Sequence, residues 1–497
     1  MKIIKYLTVI LALVVVITQC KLPDNVNPKR ATEVPVETLF TNALSAYCYQ
    51  IDETNDNVNT TRLYIQYFQQ ATYFDESRYL MQDRQIPDGF VIEVYRDALM
   101  DFKRAKEIVM EDDLGDPAGQ ANKAAVIDIM MAQGFTTMVD LFGDLPYVEA
   151  LQLDENIQPA YTDAMEIYKS EITNLKNALT TLSGGNAWGG ADIMYGGDLT
   201  SWKQYGASLL LRIGMRLADV DAAASKDAVA AALAAGVFTS MDNPGYLHYT
   251  GVVPHVNPIY DAFTVDGRKD YMPTNTIVNI MANQDGQDND PMTYDLGGVD
   301  PRLDNYFTEA EVEGGGYIGA TAGKDGAQTY GLFSHFQDAF FEASAPSRMI
   351  DYIDVEFFLA EAAQRGGYGV SDAESHYNNA ITASILYWGG TQDEVDAYLA
   401  LPGVAYDANN WKELIGVQKW IAKFNSGVES WTEWKRLDYP MLNVPEGMVY
   451  GDIPLRFVYP YDEVKQNKAN YEAAAAAIGG DETSTPIFWD VIPSPFN

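Results

Sequence analysis

Apolar residues recur at helical spacing over long stretches of this chain. Across 120–141 they fall at Val126, Ile129, Met130, Phe135, Met138 and Val139, and Gly143 with Pro146 closes the run, as expected of a helix ended by residues that cannot continue it. The stretch 163–182 repeats the pattern through Ile167, Ile172, Leu175 and Leu179 and stops at Gly184-Gly185. The stretches 201–220 and 226–235 predict a second pair of helices, 352–363 and 373–387 a third, and 411–424 a further helix. A weak internal echo links the pairs: Asp163-Ala164 followed by Tyr168 matches Asp372-Ala373 followed by Tyr377, each opening the second helix of its pair. Helix pairs of this size are the unit of a tetratricopeptide array, where each unit buries its face only against its neighbours. The expected fold is therefore mainly α, a tetratricopeptide-like helix-pair scaffold over 90–238 and 348–440 with a large irregular, loop-rich region.

That region is visible as a change of texture. Residues 184–198 alternate Gly-Gly with Trp188, Asp192 and Tyr195, and 239–347 are rich in Gly, Asp, Pro and Tyr with few apolar stripes. Loops of this kind, carried on a rigid scaffold, are where recognition residues concentrate, so function is expected there. A C-terminal segment, 441–497, completes one domain running over 36–497.

Charge removes whole classes of function. With 33 Lys plus Arg against 70 Asp plus Glu, the 497-residue chain carries a formal charge of −37. Nucleic-acid binding draws its affinity from cationic side chains on phosphates, and anionic lipid is disfavoured for the same reason. The hydrophobic content of 47% is ample for a core, so the acid excess belongs to a solvated surface and not to disorder.

The N-terminus supplies an address. Lys2 and Lys5 precede an almost wholly apolar run of about 12 residues through Leu11–Ile17, too short for a helix spanning a bilayer, which takes roughly 20, and typical of a secretory signal over 1–19. Cys20 follows directly, before the loop-like leader 20–35. Its placement resembles a bacterial lipobox, although Thr18 and Gln19 stand where small residues are usual. Cleavage before Cys20 would remove Lys2 and Lys5, take the charge from −37 to −39, and leave Cys48 without an intrachain disulfide partner.

Catalytic patterns are absent from the sequence. None of His248, His255, His335 and His376 has a partner at metal-ligand spacing, and no nucleophile elbow, phosphate-binding loop or dinucleotide fingerprint occurs. Asp285, Asp288 and Asp290 offer clustered oxygen ligands suited to calcium but lack the order of an EF-hand, so the expectation is no cofactor, with calcium as the single candidate. Loop aromatics are more informative: Trp188 and Tyr195 flank glycines, Tyr317 follows Gly314-Gly315-Gly316, and Tyr67, Tyr73 and Tyr79 cluster around Phe68 and Phe74. A sugar ring presents an apolar C–H face and a rim of hydroxyls, which calls for a flat ring beneath it and polar groups at its edge. Trp188 or Tyr195 would supply the platform, Asp192, Asp198 or Arg78 would bond hydroxyls, and Tyr73, Tyr79 and Tyr317 are further candidates. Arg212 and Arg216, four apart on one helix face, are assigned to internal salt bridges, and Trp420, Trp431 and Trp434 to the core.

A set of motifs in a fixed order gives the chain a family resemblance. Phe142-Gly143-Asp144-Leu145-Pro146-Tyr147 is followed by Tyr195-Gly196-Gly197-Asp198 with Trp202 and Leu209-Leu210-Leu211-Arg212-Ile213. Then come Asp300-Pro301-Arg302-Leu303, Phe357-Phe358-Leu359-Ala360-Glu361-Ala362-Ala363 with Gly366, Tyr377-Asn378-Asn379-Ala380-Ile381, Gln418-Lys419-Trp420-Ile421-Ala422, residues 431–440, and Arg456-Phe457-Val458-Tyr459-Pro460 through Trp489-Asp490. In this order the chain resembles the SusD/RagB family of nutrient-binding outer-membrane lipoproteins, SusD-like branch, with Lys435-Arg436 where paired arginines are expected. The resemblance implies a non-catalytic protein, lipidated at Cys20 and displayed on the cell surface. There it would capture an oligosaccharide, or in some relatives a peptide, and pass it to a TonB-dependent SusC-like porin. The charge favours a neutral cargo over a polyanion. The alternatives are a secreted carbohydrate-active enzyme and a tetratricopeptide scaffold with no small ligand.

Overall fold

An aspartate opens the second helix of each pair. Asp163 accepts a hydrogen bond from the Glu166 amide at 3.0 Å, Asp221 from Ala224 at 3.0 Å and Asp372 from Ser375 at 3.1 Å, each satisfying an amide that the first helical turn leaves unpaired. The computed structural model describes residues 34–492 except 56–57, 81–83, 112–115, 153–154, 285–293 and 449–452. The expected signal segment, Cys20 and the calcium candidates Asp285, Asp288 and Asp290 lie outside the described residues.

The scaffold is built from α1 (Val36–Asp52), α2 (Met100–Glu111), α3 (Pro117–Phe142), α4 (Ala164–Thr181), α5 (Leu199–Arg216), α6 (Ala222–Ala235), α7 (Tyr352–Arg365), α8 (Ala373–Tyr387), α9 (Gln392–Leu399), α10 (Trp411–Ala422), α11 (Gly427–Leu437) and α12 (Lys468–Ala477). Helices α3 and α4, α5 and α6, and α7 and α8 form packed pairs, while α4 rests on α5 and α5 on α7, so neighbouring pairs share faces. This is the expected tetratricopeptide-like arrangement. Helix α6 begins four residues before the expected 226 because Asp221 caps it. Helix α11 buries Val428, Trp431 and Leu437 together with Glu433 and Arg436, which take ionic partners, and Lys435, which donates to a backbone carbonyl.

Helix α3 is apolar around most of its circumference because α1, α2, α4, α5 and α11 all pack on it. One continuous core runs from Phe40 to Trp489 and includes Trp420 and Trp431, with Trp434 packed at its edge. Cys48 is fully buried in that core, its thiol 3.6 Å from the Met349 sulfur and pushed up by burial.

Short strands clamp the irregular region to the helices, which the helical periodicity gave no means to foresee. Strand β1 (Phe68–Gln70) pairs with β5 (Tyr271–Pro273), β2 (Leu145–Pro146) with β3 (Tyr161–Thr162), and β4 (Gly245–Leu247) with β6 (Ser347–Ile350), all antiparallel. Gly245 is required by packing: a Cβ there would lie 2.6 Å from the Ile350 carbonyl and 2.7 Å from the Tyr205 ring.

A buried ionic lattice joins the helices. Arg216 on α5 bonds Asp140 on α3 and both oxygens of Glu429 on α11, at 2.9 and 2.8 Å, and reaches Glu433 at 3.4 Å. Arg212 bonds Glu429 at 3.2 Å. Glu433 also accepts from Lys419 on α10 at 3.0 Å and Arg436 at 2.7 Å, and Arg436 holds Glu361 on α7 with two bonds of 2.6 and 2.7 Å. Lys423 and Asp354 add a pair at 2.7 Å. Lys435 donates to the Asp140 backbone carbonyl at 2.6 Å and lies over the Trp431 and Trp489 rings, and burial lowers its ammonium to about 7. The motif residues of the sequence are largely these: Asp300 and Arg302 form a fully buried pair at 2.6 Å, with Gln418 and Tyr398 as further partners of the guanidinium.

Removing one member of such a lattice leaves its partner charged and dry, which costs about 3–5 kcal/mol. Glu361→Gln is therefore expected to lower stability by about that amount at neutral pH, read from the denaturant midpoint. Burial pushes the carboxyls of Glu361, Glu429 and Glu433 up, but their arginine and lysine partners outweigh it and hold all three below the ordinary glutamate value of 4.5. The unfolded chain takes up protons at these groups near that value while the folded chain resists, so their stabilisation is complete above it and is lost as pH falls. The midpoint of the parent should drop steeply below about pH 4.5, and less steeply in Glu361→Gln; equal slopes in the two proteins would contradict the assignment.

Candidate functional site

The glycine-rich loop that follows α4 is organised by one carboxylate. Asp192 accepts from the amides of Met194, Tyr195 and Gly197 at 3.0, 3.1 and 2.8 Å and from the Trp202 indole at 2.7 Å. Gly197 has φ +87°, and a Cβ there would run into the Ala187 carbonyl and the Asn186 side chain, so the motif Tyr195-Gly196-Gly197-Asp198 is a tight backbone turn around Asp192. Asp198 caps α5 by accepting from the Ser201 amide and hydroxyl at 2.9 and 2.6 Å.

The aromatic residues of this loop face inward. Trp188 is 5% exposed, stacked on Phe40 of α1 at 4.2 Å and 5° between planes, with the Lys123 ammonium 5.0 Å from its ring and its indole donating to the Lys123 carbonyl. Tyr195 packs edge-on against Trp202 and donates to the Pro244 carbonyl at 3.0 Å. Both rings anchor the loop to the helices, so neither presents a face for a sugar. The physical reason is composition: beside glycines, an indole has no neighbouring side chains to shelter it and gains most by entering the core.

The remaining candidates separate. Tyr79 is fully buried, its hydroxyl accepting from Gln66 at 2.8 Å. Arg78 is tied to Asp75 at 2.5 Å and Asp325 at 2.9 Å and lies over the Phe74 ring. Tyr317 donates to Asp304 at 2.5 Å. Only Tyr73 stands out, 62% exposed.

Tyr73 borders a cleft of about 500 Å³, a size that suits a small ligand. Its walls come from three places. The C-terminal end of α1 and the chain after it contribute Tyr49, Glu53, Thr54 and Asn55; the chain around β1 contributes Gln70, Tyr73 and Arg84; residues 258–271 contribute Asp261, Asp266, Arg268, Asp270 and Tyr271. The β1–β5 ribbon fixes the floor, since it sets Gln70 opposite Tyr271, and the Ala71 amide donates to the Asp270 carbonyl at 2.7 Å. Tyr271 in turn donates to the Thr54 carbonyl at 2.6 Å, drawing the end of α1 into place. Phe263 carries the turn that holds Asp261 and Asp266 and wedges it against Tyr271, Phe336 and Phe341.

Chemically the cleft combines one open ring, with the Arg84 guanidinium 6.0 Å from its centroid, and a rim of carboxylate, guanidinium, amide and phenol groups. That combination suits a polyhydroxylated ligand with one apolar face. A larger cavity of about 640 Å³ lies along α2, α3 and α4, walled by Met131, Phe135 and Tyr147. Among the described residues no group of three His, Cys, Asp or Glu side chains converges to hold a metal ion. Sequence reasoning selected Tyr73 and the region 239–347 but missed Tyr49, Glu53, Asp261, Asp266 and Tyr271. A legible signal was present in Asp266-Gly267-Arg268-Lys269-Asp270-Tyr271, where charges crowd a turn glycine next to a tyrosine.

Comparison with known proteins bears on the whole fold. A "chitin-binding protein" of known structure superposes with a TM-score of 0.78 at 24% identity, covering 92% of this chain and 100% of its own. A chitin-binding SusD homolog from Flavobacterium johnsoniae gives 0.74 at 20% identity over 92% of this chain and 99% of its own. A susD homolog from Bacteroides thetaiotaomicron gives 0.73 at 22% identity over 93% and 100%. No curated protein matches by sequence. The family described as "starch-binding associating with outer membrane" matches residues 28–460, and with that match over most of its length the chain belongs to the SusD-like family.

Proposed function

We propose that this protein is a cell-surface glycan-binding lipoprotein. Anchored through Cys20 at the outer membrane, it captures an oligosaccharide in the Tyr73 cleft and releases it, chemically unchanged, to a TonB-dependent SusC-like porin. The observation that carries the reading is the cleft: a single ring left 62% exposed beside groups that donate to and accept from hydroxyls, in a chain of the starch-binding outer-membrane family. The chitin-binding names of two structural relatives support a glycan. Shallow stacking on one tyrosine suits a carrier, because it holds a sugar without the deep desolvated contacts that would slow release. The surface charge, −39 once a signal ending before Cys20 is removed, disfavours polyanionic cargo.

The cleft and the glycine-rich loop make opposite predictions. Tyr73→Ala should weaken oligosaccharide binding by about 2–10-fold, the equivalent of roughly 0.5–1.5 kcal/mol for one aromatic contact, and leave the denaturant midpoint unchanged. Trp188→Ala should lose about 3–5 kcal/mol of stability while the folded protein keeps its affinity. Titration calorimetry with a panel of neutral oligosaccharides, beside denaturation of each variant, reads both; loss of binding in Trp188→Ala with none in Tyr73→Ala would move the site to the loop.

A further inference from the structure

Carboxylates line the Tyr73 cleft in excess of the cations that neutralise them. Of its two guanidiniums, Arg84 pairs with Glu76 and Arg268 pairs with Asp270 at 2.5 Å. That leaves Glu53, Asp261 and Asp266, none of which forms an ion pair among the described residues. One Glu53 oxygen accepts from the amides of Thr54 and Asn55 at 2.7 and 2.9 Å. The three carboxylates act on a common point: burial first, and then Glu53, Asp261 and Asp266 in that order, push the Tyr49 hydroxyl up to about 12. They do not approach one another closely enough to hold a metal ion. A ligand entering this cleft displaces water from three ionised groups, and hydroxyls compensate a buried carboxylate less well than a charged donor does.

We propose that the cleft selects saccharides bearing free amino groups, with Tyr73 beneath a pyranose face and Glu53, Asp261 and Asp266 receiving ring-attached ammonium groups. The inference rests on the reading of the cleft as a glycan site and replaces the expectation of a neutral cargo with a cationic one, keeping only the exclusion of polyanions. It differs from binding of an N-acetylated glycan, whose amide nitrogen carries no charge. A saccharide fits better than a lysine-rich peptide because the cleft offers its flat ring and its carboxylates within one volume of about 500 Å³, so the charge to be met sits on the ring that is stacked.

The test is titration calorimetry of the mature protein at pH 6 and low salt with four tetrasaccharides, of glucosamine, N-acetylglucosamine, glucose and galacturonic acid, and with a lysine tetrapeptide. The glucosamine tetramer should bind about tenfold more tightly than the two neutral ones, and the galacturonic acid tetramer least well. Asp261→Asn with Asp266→Asn should abolish the preference. A remote pair of the same charge change, Asp393→Asn with Asp396→Asn on the exposed face of α9, should retain it, which separates the cleft from the general acidity of the surface. Equal or tighter binding of a neutral tetramer, or an equal effect of the remote pair, would overturn the amino-sugar inference while sensitivity to Tyr73→Ala still supported a glycan site. Insensitivity of every saccharide to Tyr73→Ala would overturn both. Tighter binding of the lysine peptide, indifferent to Tyr73→Ala, would reassign the cleft to peptides.

Discussion

The structure depends on charge that has been taken out of water. Arg216 and Glu433 stand at the centre of a lattice that reaches from α3 through α5, α10 and α11 to α7. Each of those helices carries apolar faces that would tolerate several registers against a neighbour, since hydrophobic contact is non-directional. Buried charges are not tolerant in this way: a guanidinium with a dry carboxylate beside it is stable at one spacing and costly at others. The lattice thus ties the two halves of the helical array, separated by the long irregular region, into one arrangement.

The family motifs gain a physical meaning from this. Glu361 in the 357–363 run, Arg212 in the 209–213 run, Lys419 and Lys435-Arg436 are lattice members, and Asp300 with Arg302 forms a separate buried group that Gln418 and Tyr398 complete. None of them lines the Tyr73 cleft. Lysine at 435, where an arginine was expected, sits fully buried with one donor on the Asp140 carbonyl and two indole rings nearby. The cleft lies elsewhere, on segments that the motifs do not cover.

The surplus of aromatic residues divides along the same line. Phe68, Phe336, Phe424, Tyr306 and Phe307 meet in one cluster below the β1–β5 ribbon, and it is this cluster, through Phe263, that supports the turn bearing Asp261 and Asp266. Trp188 extends the core toward α1. Tyr73 differs from all of them by being left in water, which is unfavourable for a ring unless something else covers it.

The sequence by itself determined the helix pairs, the aspartates opening two of their second helices, the family, and the burial of Arg212, Arg216, Trp420 and Trp431, because each of these follows from spacing along the chain or from a charge that has only one reasonable fate in an apolar face. It also pointed to the irregular region and to Tyr73. It could not tell which way the rings of the 184–198 loop turn, because glycines beside aromatic residues look alike whether the ring turns out to solvent or in to the core. The outcome for Trp188 was decided by Phe40, 148 positions away. Likewise the cleft brings together residues near 50, 73 and 266 through a two-stranded ribbon of three residues a side. Pairings of such separation are set by tertiary packing and leave no period in the sequence, and so only the folded structure decided which of the many acidic and aromatic residues share a cleft.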